Sequence, residues 1–175
     1  MRRLLTGSFV TLLLLLNTLF FIGPLMVFAL LKLVLPGRYR DYASWMVMWF
    51  AETWAEVDKL IFSLCIPTVW DVRGNAKLRV DTSYLCVSNH QTWVDIPALI
   101  QVLNRKIPFF KFFLKKELIW VPLLGLAWWA LDYPFMKRYS KAFLDKNPHL
   151  KGQDLEITKA ACELFKRQPV TVVNY

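Results

Sequence analysis

Apolar and polar residues follow two regimes along this chain. Residues 4–31 carry no charged side chain. As a helix they would extend about 42 Å at 1.5 Å per residue, more than a hydrocarbon core of about 30 Å requires. The run is too long for the apolar region of a signal peptide, and no small-residue cleavage site closes it, so it predicts an uncleaved membrane anchor. Gly23-Pro24 can kink this helix. Arg2 and Arg3 precede the run, and Lys32, Arg38 and Arg40 follow it. Charge therefore does not orient it, and a tilted span or a bent helix that enters and returns both satisfy the pattern. A buried core helix is the alternative.

The next stretch, residues 41–63, has a different pattern. Asp41, Ser44, Glu52, Glu56, Lys59 and Ser63 recur at helical steps, interrupted by Met48, and would form one narrow polar stripe. Tyr42, Trp45, Met46, Trp49, Phe50, Trp54, Val57, Leu60, Ile61 and Leu64 cover the remaining surface. Such a helix suits the headgroup level of a bilayer. It equally suits packing against the anchor or the core.

Beyond it the pattern alternates. Residues 68–72 read as a strand that ends at the turn residues Arg73, Gly74 and Asn75. Residues 84–88 predict a short apolar strand, 93–103 a helix, 107–114 a strand, 118–131 a helix with Pro122 near its start, and 133–136 another strand. Residues 154–168 have Ile157, Ala161, Leu164 and Phe165 on one face, with Glu156, Lys159, Glu163 and Lys166 on the other. The early acids and late bases of that helix complement its dipole. The β-branched run 170–173 returns as a strand. This alternation predicts an α/β fold with a largely parallel sheet. The organisation expected is an anchor over residues 1–40, an amphipathic helix over 41–67 and a catalytic domain over 68–175. The last strand leads into a loop that the sequence does not contain, so the domain is expected to be incomplete at its C-terminus.

Composition narrows the class. The chain has 175 residues, 56% hydrophobic and 20% charged, with 22 Lys+Arg against 13 Asp+Glu for a net +9. Eight Trp and thirteen Phe exclude disorder. Cys65, Cys86 and Cys162 are odd in number and widely spaced, which excludes a disulfide framework or zinc ribbon and fits a reducing compartment. The six glycines are scattered singly, so there is neither a P-loop nor a dinucleotide fingerprint.

Candidate chemistry lies in the sequence Ser88-Asn89-His90-Gln91-Thr92-Trp93-Val94-Asp95, where an apolar strand gives way to a helix. Ligands of open α/β folds bind at the carboxyl ends of strands. A neutral imidazole can take a proton from a hydroxyl at neutral pH. A carboxylate on its other nitrogen would fix the tautomer, and Asp95 can curl back across the helix start to supply it. Asn89 can tie the loop through its amide. The bland alternative is a capped helix start with an incidental histidine. Cys86, His90 and Asp95 match no standard metal spacing. His149, the second of two histidines, sits in a polar turn.

Two basic clusters flank this stretch. Arg105, Lys106, Lys111, Lys115 and Lys116 come without an intervening acid, and Lys137, Arg138 and Lys141 follow the strand at 133–136. The first reads as a solvated face or a contact for anionic headgroups. An arginine at a strand end suits a phosphate. Nucleic acid is disfavoured as a partner, because anionic lipid lies nearer to an anchored chain.

These residues resemble the glycerophospholipid acyltransferase family, the 1-acylglycerol-3-phosphate acyltransferases. Asn89-His90 followed by Asp95 matches the family's N-H-x-x-x-x-D motif. The stretch from Lys116-Glu117-Leu118 through Val121-Pro122 to Gly125 resembles its K-E-L-x-x-V-P-x-x-G block, and residues 132–138 fall where it has G-x-x-F-x-x-R. The resemblance covers residues 69–175, with the blocks in family order. The variant at 132–138 looks most like a bacterial inner-membrane subgroup.

The resemblance implies transfer of a fatty acyl group from acyl-CoA or acyl carrier protein to the free hydroxyl of a lysophospholipid, lysophosphatidic acid above all. It implies His90 as general base, Asp95 as its orienting partner, and Arg138 with Asn89 and Lys137 at the acceptor. No cofactor or metal is implied, because the thioester is already activated. The implied site is the cytoplasmic face of a bacterial inner membrane. The chain departs from the family in having Asp132 in place of a glycine, and Pro134 within the strand. The family's third motif, E-G-T/S-R, would begin after Tyr175, so the expectation is a fragment of weak or no activity with an active parent. Rival readings are an acyltransferase for another lysophospholipid and a non-catalytic protein that binds membrane surfaces.

Overall fold

A computed structural model of the chain describes residues 2–74, 77–137, 139, 141–148, 152–166 and 168–175. Two long helices come first, α1 (Arg2–Val34) and α2 (Gly37–Cys65). α1 runs on through Pro24, and the chain reverses at Leu35-Pro36, where Gly37 adopts φ 54°. The chain thus reverses past the end of the apolar run and not at Gly23-Pro24, where a kink was possible, and α2 retraces α1 as an antiparallel partner.

One stripe of α1 is buried, formed by Val10, Asn17, Phe21, Leu25, Ala29 and Lys32. α2 meets it with Ala43, Val47, Ala51 and Ala55. These recur every fourth residue on one helical face, and their small size lets the backbones approach. Thr11 and Thr18 donate to the carbonyls of Gly7 and Leu14 within α1, which leaves no hydroxyl of theirs unsatisfied in an apolar setting. The rest of α1 presents Leu12, Leu16, Leu19, Phe20, Val27 and Leu30 outward. Among the described residues α1 is the one helix long and apolar enough to cross a bilayer. That pattern indicates membrane association.

Polar groups of α2 are engaged by protein, Glu56 of the polar stripe among them. Asn17 donates to Asp58 Oδ1 at 2.8 Å and to the Trp54 carbonyl. On the other side Asn104 donates to the Glu52 carbonyl and to Glu56 Oε1, both at 3.0 Å, and Arg105 donates to Thr53 Oγ1. α2 thus packs against the anchor and the domain, while Tyr42, Trp45, Trp49, Leu60 and Leu64 stay exposed. Leu25, Ala29, Val47 and Ala51 share one apolar core with Phe109, Ala130, Leu131 and Tyr133. The hairpin is thus built into the domain.

The domain continues with β1 (Tyr84–Val87), α3 (Asp95–Leu103), β2 (Phe110–Phe112), β3 (Leu114–Lys115), α4 (Leu124–Ala130), β4 (Phe135–Met136), α5 (Lys141–Lys146), α6 (Gln153–Phe165) and β5 (Thr171–Asn174). β5 is central in a parallel sheet ordered β1-β5-β2, and β3 pairs with β4, also in parallel. The predicted mixture of helices with a parallel sheet is thus found, behind an apolar N-terminal helix. Phe110, Val173 and Ile107 form the core under the larger sheet, with Leu99, Ile100 and Leu103 of α3.

Several predicted elements differ. Residues 68–72 form no strand: Val69 and Val72 are exposed, and among the described residues no strand pairs with their backbone groups. The predicted strand at 107–114 divides into β2 and β3, which pair in different sheets. The predicted helix at 118–131 divides into a 3-10 turn at Lys116–Trp120 and α4. Pro122 lies at the break, where Leu124 N donates to the Pro122 carbonyl across Leu123 at φ 63°. That is a γ-turn of positive φ, a strained conformation. Gly125 follows because a Cβ there would overlap the Ile119 carbonyl. α5 had no counterpart in the sequence pattern.

Candidate active site

β1 and β5 run in parallel with Val87 opposite Asn174, and Ser88 N donates to the Asn174 carbonyl at 3.1 Å. The sheet hydrogen bonding therefore extends one residue beyond β1, and the loop 89–94 then departs toward α3. Asp95 is the first residue of α3. Its Oδ2 accepts from the backbone N–H groups of Gln91 at 2.6 Å and Thr92 at 2.8 Å. Thr92 Oγ1 accepts from Val94 N and completes the turn. The carboxylate thus closes the loop, supplying backbone donors with an acceptor at a helix start.

The same oxygen lies 3.2 Å from His90 Nδ1. A proton on Nδ1 shared with Asp95 leaves the lone pair on Nε2, the tautomer a general base needs. The bonds from Thr92 and Gln91, and then His90, hold the Asp95 carboxyl below the usual carboxylate range. It is therefore an anion throughout the neutral range.

Of the residues singled out in the sequence, the structure brings His90 and Asp95 together. Asn89 does not tie the loop with its side chain: the carbonyl of Asn89 accepts from Ser88 Oγ, and among the described residues its exposed amide has no hydrogen-bond partner. Lys137 is exposed just past β4. Arg138 and His149 lie outside the described residues.

The basic cluster at 105–116 divides. Arg105 and Lys106 flank the C-terminal end of α3, and Lys115 and Lys116 are exposed at β3. Lys115 pairs with Met136 in the parallel register, and Lys116 and Lys137 are the residues that follow the two strands. Lys111 leaves the cluster entirely: it is 3% exposed, lies over the Tyr133 ring and donates to the Leu131 carbonyl. A solvated or headgroup-facing Lys111 is thereby overturned. Burial, offset by nearby Asp132 and reinforced by Lys32, lowers its pKa to about 8. Lys32, at the end of α1, donates to the Ala130 carbonyl at 2.6 Å and to Asp132 Oδ2 at 2.7 Å. The two lysines cap the carbonyl end of α4, where positive charge is favoured.

Two features escape sequence reasoning. The first is a cavity of about 300 Å³ bounded by His90 and Trp93, by Trp54 and Phe62 of α2, and by Phe112 and Leu131. Its walls are almost wholly apolar, with Asp58 and Lys59 as the charged residues along it. The second is Tyr175, whose ring stacks on that of His90 with centroids 4.4 Å apart. Pairing β5 beside β1 would have placed it there, since the residue after Asn174 must lie near the residues after Val87.

This arrangement offers a base at the edge of an apolar cavity, a permanent anion behind the base, and lysines across the adjoining strand pair. Searches of the curated proteins and of the solved structures returned no match. Residues 69–172 match the family model described as Acyltransferase, which includes His90, Asp95 and the segments around Gly125 and Asp132. The chain therefore belongs to the glycerophospholipid acyltransferase family, and it is an acyltransferase of lipid biosynthesis.

Proposed function

We propose that the chain esterifies the free hydroxyl of 1-acyl-sn-glycerol-3-phosphate with a fatty acyl group from acyl-CoA or acyl carrier protein. The carrying observation is the 3.2 Å contact of His90 with Asp95 at the edge of the apolar cavity. His90 Nε2 takes the proton of the acceptor hydroxyl as its oxygen attacks the thioester carbonyl. The carbonyl electrons move to oxygen. On collapse the C–S bond breaks, the ester forms, and the thiolate leaves with the proton returned by the imidazolium. Asp95 stabilises that imidazolium without being protonated itself. The cavity suits an acyl chain, since its walls offer little to a polar ligand. Lys116 and Lys137 suit the acceptor's phosphate, and the motif position of Arg138 assigns it the same role.

The membrane supplies the acceptor, reached through the α1–α2 hairpin. A bacterial inner membrane, with the site on the cytoplasmic side, accords with the thioester donors and with free Cys65, Cys86 and Cys162. The test is acyl transfer by the detergent-purified full-length protein, with lysophosphatidic acid offered in competition with lysophosphatidylglycerol and lysocardiolipin. His90→Ala is expected to lower turnover by about 10²–10⁴-fold while liposome binding is unchanged. Undiminished turnover in that variant excludes His90 as the base, and preference for another acceptor replaces the assigned substrate.

A further inference from the structure

The imidazole of His90 is held in its own plane by one contact, the Nδ1 approach to Asp95. A single hydrogen bond leaves the ring free to rock about the Nδ1–Oδ2 axis, which would sweep Nε2 through an arc. His90 also keeps 41% of its side chain exposed, so packing alone does not stop that motion. What lies against its face is Tyr175, with centroids 4.4 Å apart and planes 30° apart.

Tyr175 is itself supported. Its ring lies nearly parallel to Phe112, at 5.9 Å and 9°. Phe112 stacks in turn on Tyr133 at 6.1 Å. Tyr133 is buried, and its hydroxyl donates to the Phe110 carbonyl at 2.6 Å. An aromatic column thus runs from the buried core to the imidazole. β5 sets its position: Asn174 is paired to β1 and Val173 to Phe112, so the backbone before Tyr175 is held from both sides.

We propose that Tyr175 is a positioning residue for the acyl transfer assigned above, its ring face holding the His90 imidazole in the plane set by Asp95. The inference rests on His90 acting as the base. The stack bears on the ring face and the Asp95 contact on its Nδ1 edge, and together they restrict where Nε2 points. The π face also favours the positive charge that the imidazole gains when it takes the acceptor's proton. The hydroxyl of Tyr175 has no part in this, so phenylalanine should serve as well.

The test has two arms. The chain contains two histidines, His90 and His149, so imidazole proton resonances are assigned with one His149→Gln variant. In the wild-type chain the His90 ring protons should be displaced upfield of those of His149 by the tyrosine ring current. Tyr175→Phe should keep that displacement and Tyr175→Leu should abolish it. In the kinetic arm, Tyr175→Leu should lower kcat by roughly 2- to 30-fold, the range of a ring–cation contact, with KM for the acyl donor little changed. Tyr175→Phe should restore kcat.

Absence of the displacement in the wild-type chain overturns the stack. Wild-type kcat in Tyr175→Leu overturns the positioning role, and so does Tyr175→Phe failing as badly as Tyr175→Leu. An upfield displacement in a full-length protein that transfers no acyl group overturns the acyl-transfer reading, and the role with it, while the contact itself stands.

Discussion

Replacing Asp132 by glycine sets a lost ion pair against a relaxed backbone. Asp132 occupies φ 56°, a left-handed conformation that costs a side-chain-bearing residue about 1–2 kcal/mol, with aspartate near the low end. Glycine would recover that, but it also gains freedom in the unfolded chain worth about 0.4–1 kcal/mol, so the backbone benefit nearly cancels. Against this stands the contact with Lys32 at 2.7 Å. The gross attraction at that distance is about 6 kcal/mol for an effective dielectric of 20. Lys32 is 7% exposed and Asp132 35%. Removing the carboxylate strands a buried ammonium, typically a loss of about 3–5 kcal/mol, and the partial exposure of Asp132 puts this case near 3. The expected net destabilisation of Asp132→Gly is therefore about 2–3 kcal/mol. It would be read as a lower guanidinium midpoint in detergent, and 0.5 M salt should barely change it because the pair is largely buried. Asp132→Asn keeps the backbone tolerance and an acceptor and should fall between. In Lys32→Met/Asp132→Gly no charge is stranded, and most of the loss should return. A glycine variant as stable as the parent, or a double-mutant coupling below about 0.5 kcal/mol, would refute the reasoning.

Further outcomes follow from other parts of the structure. The Lys111 ammonium is disfavoured in the fold, with a pKa near 8 against an ordinary 10.5. The unfolded chain therefore holds that proton more tightly, and stability gains about 3 kcal/mol from this group as pH rises from 8 to 10.5. Lys111→Met should lack that part of the slope when the two unfolding profiles are compared, and identical slopes would contradict the burial. Gly125→Ala should destabilise by about 1–3 kcal/mol, because the added methyl overlaps the Ile119 carbonyl; an unchanged melting temperature would show that the turn can move aside. Ile96 lines the cavity beside His90. Ile96→Trp should shift acyl-donor preference toward shorter chains without changing the preferred headgroup, and an unaltered chain-length profile would remove the cavity from the acyl path.

The legibility of the sequence varied with the range of the interaction. The His90–Asp95 contact spans five residues across a strand–helix junction, so local geometry brings the two groups together. Lys111 misled because it alternates with Phe110 and Phe112, which puts it on the opposite face of a strand. In a sheet open to water that face is wet. Here Lys111 reaches the carbonyl end of α4 and lies over the Tyr133 ring, within range of the Lys32 charge at the end of α1. The predicted helix at 118–131 misled for a different reason: the segment is mostly apolar, but Pro122 and the γ-turn at Leu123 divide it. The glycine at 125, part of the recognised block, is explained only by the approach of Ile119.

By itself the chain determines what short-range physics controls. Residues 4–31 favour an apolar setting because nothing in them is charged, the strand–helix alternation points to a mixed fold, and the carboxylate at 95 is within five residues of the imidazole at 90 and can curl back to it. Only the tertiary structure decided that β5 enters between β1 and β2, since a period of two specifies a strand's faces and not its neighbours. That insertion sets Tyr175 over His90. The docking of α2 against α3 encloses the apolar cavity. Both depend on contacts between residues tens of positions apart, and burial of shared apolar surface selects such contacts where local spacing does not.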